Sequence, residues 1–195
     1  MATATVASVP VYPSLGAATP NLQLANPIAE GAPLTFLVVT VQSGWVEVDL
    51  PVRPNGAQGW VPLADLSITS DQYRITVSLL ARQLTVYAGG AAVTSAPVAV
   101  GSPDSPTPIG SFYVTEVLRI TDPQNAYGPY ALGLSAFSDT YYSFDGGPGQ
   151  IAIHGTNQPW VIGGYASHGC VRLANPDIAR IAGFVPAGTP VSIGL

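Results

Sequence analysis

Trp45-Val46-Glu47-Val48-Asp49-Leu50 sets the class of fold. Trp45, Glu47 and Asp49 alternate with Val46, Val48 and Leu50, the period of two that marks a half-buried strand. Outward from this stretch the same grammar repeats. Val9 to Tyr12, Leu34 to Val41 and Gly59 to Pro62 have strand character, and Pro13, Gly31, Gly44 and Pro54-Asn55-Gly56 mark turns between them. The first 65 or so residues are therefore expected to form a small β unit, best fitted by a short barrel. Leu66 to Gln72 is polar enough to serve as a boundary, which divides the chain into 1–70 and 71–195. Beyond it, strands are predicted at Arg74 to Leu79, Gln83 to Tyr87, Ala92 to Val100 and Ser111 to Val117, with Gly89-Gly90 as a hairpin turn.

Composition agrees with a mainly β class. The 195 residues are 47% apolar and only 9% charged, with 21 Gly and 19 Pro, as suits short strands joined by tight turns. That length holds one mid-sized domain or two small ones, with a real core in either case. The net charge of -5 comes from scattered acids with no basic run, so no nucleic-acid partner is expected. Leu34 to Val41 is too short to cross a bilayer. No basic residue precedes Arg53, so no charged region of a signal peptide is visible. The single cysteine can form no internal disulfide, and an unpaired thiol in an exported protein calls for a use. Export, with the signal outside the chain as given, is the expectation.

From Arg119 to Gln150 the sequence is rich in Gly, Ser, Pro and aromatics, among them Tyr127, Tyr130, Tyr141, Tyr142 and Phe144. It is expected to be a long lid or binding loop, or aromatics on a satellite core. One helix is expected after Cys170: Asn175 as cap, Pro176 at the first position, Ile178, Ile181 and Ala182 on one face, and Gly183 and Pro186 as stops.

The only cysteine and both histidines fall between His154 and Cys170. Ile151-Ala152-Ile153 has the character of a buried strand ending at His154-Gly155, and Ser167-His168-Gly169-Cys170-Val171-Arg172 brings a second histidine two residues before the thiol. In extended backbone His168 and Cys170 would stand about 6.6 Å apart, too far for direct proton transfer. His154 can approach the sulfur through the fold, so it is assigned as base and His168 as support. A thiolate is the attacking form, and an imidazole beside it would stabilise the ion pair. Gly169 lets the backbone pass close to a substrate, and the Gly169 and Cys170 amides are natural oxyanion donors. Arg172 could bind a carboxylate or brace the turn. A zinc site would need further ligands at a recognisable spacing; Asp145 and Asp177 supply no such pattern, so no metal is expected.

His154-Gly155-Thr156 with Ser167-His168-Gly169-Cys170-Val171-Arg172 resembles the signature of the L,D-transpeptidases of bacterial cell walls. Thr107-Pro108-Ile109-Gly110-Ser111-Phe112 and Gly128-Pro129-Tyr130-Ala131-Leu132-Gly133-Leu134 are similar to stretches preceding it, the latter chiefly in actinobacterial members. Leu50 to Gly56 with Gly59-Trp60-Val61 resembles a bacterial SH3-like domain. The resemblance implies an SH3-like barrel followed by a β-sandwich acyltransferase with one short helix after the catalytic Cys, free of metal and organic cofactor. It implies Cys170 as nucleophile, His154 as base, and His168 and Ser167 as supporting partners. Gly155, Gly169 and Arg172 would surround the oxyanion and its neighbourhood. Apart from the resemblance, Tyr130, Trp160 and Thr156 are expected as groove contacts. The substrates implied are peptidoglycan stem peptides outside the membrane, joined by 3→3 cross-links in a reaction that bears on cell-wall organisation and shape, with carbapenems as inhibitors. Water as acceptor would make the site a carboxypeptidase. A papain-like wall endopeptidase would place Cys before His, the reverse of the order here. A non-catalytic wall-binding protein is the reading from a different class.

Overall fold

The computed structural model describes residues 1–144 and 146–195. Strands dominate and cluster into two cores. Around the first lie β1 (Ala2–Ala4), β2 (Ser8–Val11), β3 (Leu22–Ala25), β4 (Thr35–Gln42), β5 (Trp45–Asp49), β6 (Gln58–Pro62) and β7 (Leu66–Ile68). Five of them form an antiparallel sheet in the order β6-β5-β4-β1-β7, and β2 and β3 form a hairpin tied to it by the Tyr12–Trp60 bridge. Val46 and Val48 point inward on the predicted period and meet Val9, Val11, Phe36 and Val61 in one buried cluster. The amino-terminal strand β1 was not expected. Its small, unpatterned residues become structural by inserting between β4 and β7, and Ala2 is fully buried.

The second core is enclosed by β8 (Tyr73–Ser78), β9 (Gln83–Ala88), β10 (Ala91–Pro97), β12 (Gly110–Arg119), β13 (Tyr130–Phe137), β14 (Gln150–His154), β16 (Val171–Arg172) and β17 (Pro190–Gly194). Their order is β10-β9-β8-β17-β12-β13-β14-β16, and a small parallel pair is made by β11 (Val100–Gly101) and β15 (Tyr165–Ser167). The long strand β12 joins two leaves. Gly110 to Tyr113 pairs with β17, and Val114 to Arg119 pairs with β13, with a register shift between Val114 and Glu116. Both leaves contribute to one apolar cluster: Ile75, Val86, Phe112, Leu132, Leu134, Ile151 and Ile153, closed by Ile178 and Ile181 of α1 (Asn175–Ala182).

Two expectations change here. The segment from Arg119 to Gln150 is not one loop: β13 runs through it as a strand with neighbours on both sides, buried at every residue after Tyr130. A strand covered on both faces loses the alternation that identifies half-buried ones, and Gly133 and Ser135 disguise it further. The helix does form, but Ala174 is its N-cap and Asn175 makes no capping bond; the Asn175 side chain is spent elsewhere.

The two cores are joined by specific contacts. Arg53 donates to the carbonyls of Ser138 (2.8 Å), Tyr141 (3.0 Å) and Pro148 (3.2 Å), and its guanidinium lies over the rings of Phe137 and Tyr142. Asn55 holds both backbone groups of Phe137: its Nδ2 donates to the carbonyl and its Oδ1 accepts from the N–H, each at 2.8 Å.

Candidate active site

Parallel pairing of β14 with β16 builds the site. Ile153 lies beside Val171 and His154 beside Arg172. Ile151, Ile153, Val171 and Leu173 point into the core, so by the alternation of strands Ala152, His154, Cys170 and Arg172 share the opposite face. That face is the floor of a cleft of about 380 Å³ lined by His154, Cys170, His168, Ser167, Arg172 and Tyr127, among others. The fold thus brings sixteen-residue-separated groups onto one surface.

His154 is 3% exposed. Its Nδ1 lies 2.6 Å from the Gly155 carbonyl oxygen, and a carbonyl can only accept, so this nitrogen carries the proton and Nε2 is left as the basic one. Burial pushes the imidazole pKa down to about 4, helped by the Arg172 charge and opposed by the Gly155 carbonyl. The Tyr127 ring packs against the imidazole with 4.5 Å between centroids.

The Cys170 sulfur accepts a hydrogen bond from Ala152 N–H at 3.4 Å. Burial raises the thiol pKa, while that N–H and the Arg172 guanidinium pull it down. With His154 lowered and Cys170 raised, the resting site favours the neutral thiol and neutral imidazole rather than the expected ion pair. Both shifts have one cause, the desolvation of a closed cleft.

Ser167 shapes the turn. Its hydroxyl donates to the Cys170 carbonyl at 2.5 Å and accepts from Gly169 N–H at 3.2 Å. Gly169 N–H is therefore already engaged, and among the described residues the Cys170 N–H meets no protein acceptor. Gly169 has φ of +119°, and a Cβ there would lie 2.8 Å from Ile151 Cδ1, so glycine is required. His168 is exposed at the rim, its ring 5.5 Å from that of Tyr141 and 5.1 Å from that of Phe144. Arg172 exchanges backbone hydrogen bonds with Ala99, and its Nε is buried without a hydrogen-bond partner.

The weaker groove contacts lie elsewhere. Tyr130 packs on the hydrophobic core, and it is Tyr127 that faces the cleft. Trp160 is 76% exposed on the short turn Pro159–Val161, away from the cleft lining. Thr156 is buried and holds its own turn, with N–H donated to Asn175 Oδ1 at 2.8 Å and Oγ1 accepting from Gln158 N–H. Asn175 sits where Gly128 and Gly155 cross: a Cβ on Gly155 would lie 2.4 Å from its Oδ1 and one on Gly128 would lie 2.3 Å from it. This asparagine's role is not legible in sequence, because its position before Pro176 imitates a helix cap. Arg53 was likewise visible only as the first basic residue and as part of the SH3-like stretch Leu50 to Gly56. Asp145, which with Asp177 carries no metal-binding pattern in sequence, lies outside the described residues; among the described residues no three His, Cys, Asp or Glu side chains are grouped for a metal ion.

A cysteine and a tautomer-fixed histidine thus line one cleft from neighbouring strands of a two-leaved β fold. Residues 72–193 match the model of the L,D-transpeptidase catalytic domain, the YkuD family, and the chain belongs to that family. It is 40% identical to the L,D-transpeptidase YkuD of Bacillus licheniformis over 121 residues, covering 62% of this chain and 65% of that protein. In fold it is similar to L,D-transpeptidase 3 of Mycobacterium tuberculosis in complex with a faropenem-derived adduct. The TM-score is 0.53 at 18% identity, covering 82% of this chain and 93% of the other. It is similar too to an L,D-transpeptidase in complex with imipenem, with a TM-score of 0.50 at 18% identity and coverage of 82% and 95%. The chain spans less than two thirds of the length of the Bacillus relative. No helix among the described residues is long and apolar enough to cross a membrane.

Proposed function

We propose that the chain is a peptidoglycan L,D-transpeptidase in which Cys170 attacks the carbonyl of the third residue of a tetrapeptide stem. His154 Nε2 takes the thiol proton as the S–C bond forms, so charge need not be stored in the resting cleft. The tetrahedral oxyanion accepts from the Cys170 N–H. Collapse breaks the C–N bond to the terminal D-alanine, whose amine leaves with the proton from His154, and a thioester remains. An amine on the third residue of a neighbouring stem attacks that carbonyl, passes its proton to His154, and expels the sulfur to give a 3→3 cross-link. Ser167 and Gly169 position the turn, His168 forms the aromatic rim, and Arg172 brings a cation to the cleft. No cofactor enters these steps.

The observation that carries this is the shared face: His154 and Cys170 line one cleft from adjacent strands, with the imidazole proton committed to Gly155. Residues 1–70 are proposed as an SH3-like unit and 71–195 as the catalytic domain, working outside the membrane on the wall. Carbapenems would acylate Cys170. Intact-mass measurement after carbapenem exposure tests the chemistry: an adduct on the wild type and none on Cys170→Ala is expected. Folded wild type without an adduct would favour a non-catalytic wall-binding role. A tetrapeptide donor with an amine acceptor then tests the reaction. Cross-linked dimer is the expected product, and tripeptide alone would mark a carboxypeptidase.

A further inference from the structure

Glu116 lies outside the machinery described so far, yet it is the most conspicuous charge near it. It is 4% exposed and its Oε2 has no hydrogen-bond partner. Oε1 accepts a long contact from Gln150 Nε2 at 3.5 Å, and the neighbouring Thr115 side chain also hydrogen-bonds the carboxyl. A buried carboxylate in this state is strongly disfavoured unless something compensates it. The chain also makes room for it. A Cβ on Gly133 would fall 1.6 Å from Oε1, so the carboxylate occupies the space that any other residue at 133 would fill.

Register fixes where this carboxylate stands. Glu116 pairs with Gly133, Gly133 pairs with Ala152, and Ala152 N–H touches the Cys170 sulfur. These four residues step across β12, β13, β14 and the start of β16. Adjacent strands are about 4.8 Å apart, and the Glu116 side chain already reaches over β13, so roughly two spacings, about 10 Å, separate carboxylate from sulfur. Between them the floor is Gly133 and Ala152, the two smallest side chains available. A second hollow of about 250 Å³ lies over this floor, lined by Glu116, Gly133, Ala152, Gln150, Tyr127 and Glu30. Gln150 and Tyr127 line the cysteine cleft as well, so the two hollows adjoin. Glu30 comes from the amino-terminal unit and brings a second negative charge.

From this geometry we infer that Glu116, with Glu30 beside it, binds a primary ammonium on the side chain of the donor residue whose carbonyl Cys170 attacks. The inference rests on the proposed transpeptidation. In a 3→3 link the acceptor amine belongs to the third stem residue, so the donor's third residue carries the same side-chain amine. A carbonyl about 3 Å from sulfur and an ammonium about 3 Å from carboxylate leave a few ångströms to span, within reach of a linear diamino side chain. Burial and the Glu30 charge both raise the Glu116 pKa, against hydrogen bonds from Thr115 and Gln150. A cation seated between the two acids removes the cause of that repulsion. Glu116 would thus be a specificity-determining residue, and the amino-terminal unit would form part of the substrate groove.

Single-turnover acylation, followed by intact mass without any acceptor, tests this. Two tetrapeptide donors are compared, one with a free side-chain amine at the third residue and one with that amine acetylated. Wild type should prefer the free amine by at least about tenfold in acylation efficiency, equivalent to about 1.4 kcal/mol. Glu116→Gln should erase the preference, and the exposed Glu30→Gln, which poses no risk to folding, should reduce it. Wild type that acylates both donors equally overturns the inference without requiring any variant, as does a Glu116→Gln protein that retains the preference. Wild type acylated by a carbapenem but indifferent to the amine loses only this inference. Wild type acylated by neither peptide nor carbapenem loses the proposed function as well.

Discussion

Burial of His154 has a consequence for stability that can be measured without substrate. The folded imidazole titrates at about 4, while in the unfolded chain it titrates near 6.5. Between these values the unfolded state holds a proton that the folded state does not, so stability is lost as pH falls. Below both values the loss reaches about 3 kcal/mol, and between pH 7.5 and pH 5 it amounts to about 2 kcal/mol. Glu116 acts in the opposite direction: its pKa is raised, so it favours the folded state on the acid side of its own transition. Comparison with His154→Gln separates the two, because only the histidine's contribution disappears. Urea unfolding of both proteins at pH 7.5, 6 and 5 should show the wild type losing about 2 kcal/mol more than the variant by pH 5. A wild-type-minus-variant difference that stays flat across this range would mean the imidazole is solvated or charged when folded, and the neutral resting pair would have to be abandoned.

Gly169→Ala forces a Cβ toward Ile151 at a backbone angle that disfavours it, and is expected to cost about 1–3 kcal/mol and abolish carbapenem acylation; thermal melting and intact mass report the two effects. Arg53→Ala removes three bonds to carbonyls of the Ser138–Pro148 segment and should destabilise by about 2 kcal/mol. Faster limited proteolysis within that segment is the diagnostic, and unchanged cleavage would show that the latch is dispensable. Asn175→Ala leaves Thr156 N–H without its acceptor and should cost about 1–3 kcal/mol. Because Gly155 adjoins that crossing, acylation should slow alongside the loss of melting temperature.

Several strands half exposed to water were legible in sequence because alternation records which face is wet, although β3 and β17 alternate too and were not predicted. Trp45 to Leu50 and Arg74 to Leu79 needed no further information. β1 and β13 left no such record: the first is built of small residues, and the second is covered on both faces. The cysteine and histidines were found because they are the scarce reactive groups of the chain and sit in a recognisable pattern. What escaped was everything that depends on a tertiary partner. Asn175 looked like a cap because its role depends on Gly128 and Gly155, forty-seven and twenty residues upstream. Tyr127 rather than Tyr130 faces the site, and aromatic content alone cannot say which side of a crossing a ring takes. The neutral resting pair was hidden for a related reason, since residue type fixes which proton can move but burial fixes where it rests.

The small residues of β13 and β14 tie the hidden strand to the chemistry. A central strand gains stability from large side chains on both faces, yet on the face shared with Glu116 β13 presents Ala131 and Gly133 to the hollow, and β14 adds Ala152. The core-facing positions Leu132, Leu134, Ile151 and Ile153 are as large as packing permits. The two faces of the same strands are therefore built to different rules: one is filled with large apolar side chains, and the other carries small residues beneath the hollow, as the inferred substrate path between sulfur and carboxylate requires. The side walls are the segments on either side of β13, carrying Tyr127 on one and Tyr141 and Phe144 on the other. The second of these is fastened from the amino-terminal unit by Arg53 and Asn55. Removing that unit would expose the side of β12 that β4 covers and leave carbonyls of the wall without their donors, so its effect on turnover follows from geometry even if it binds nothing of its own.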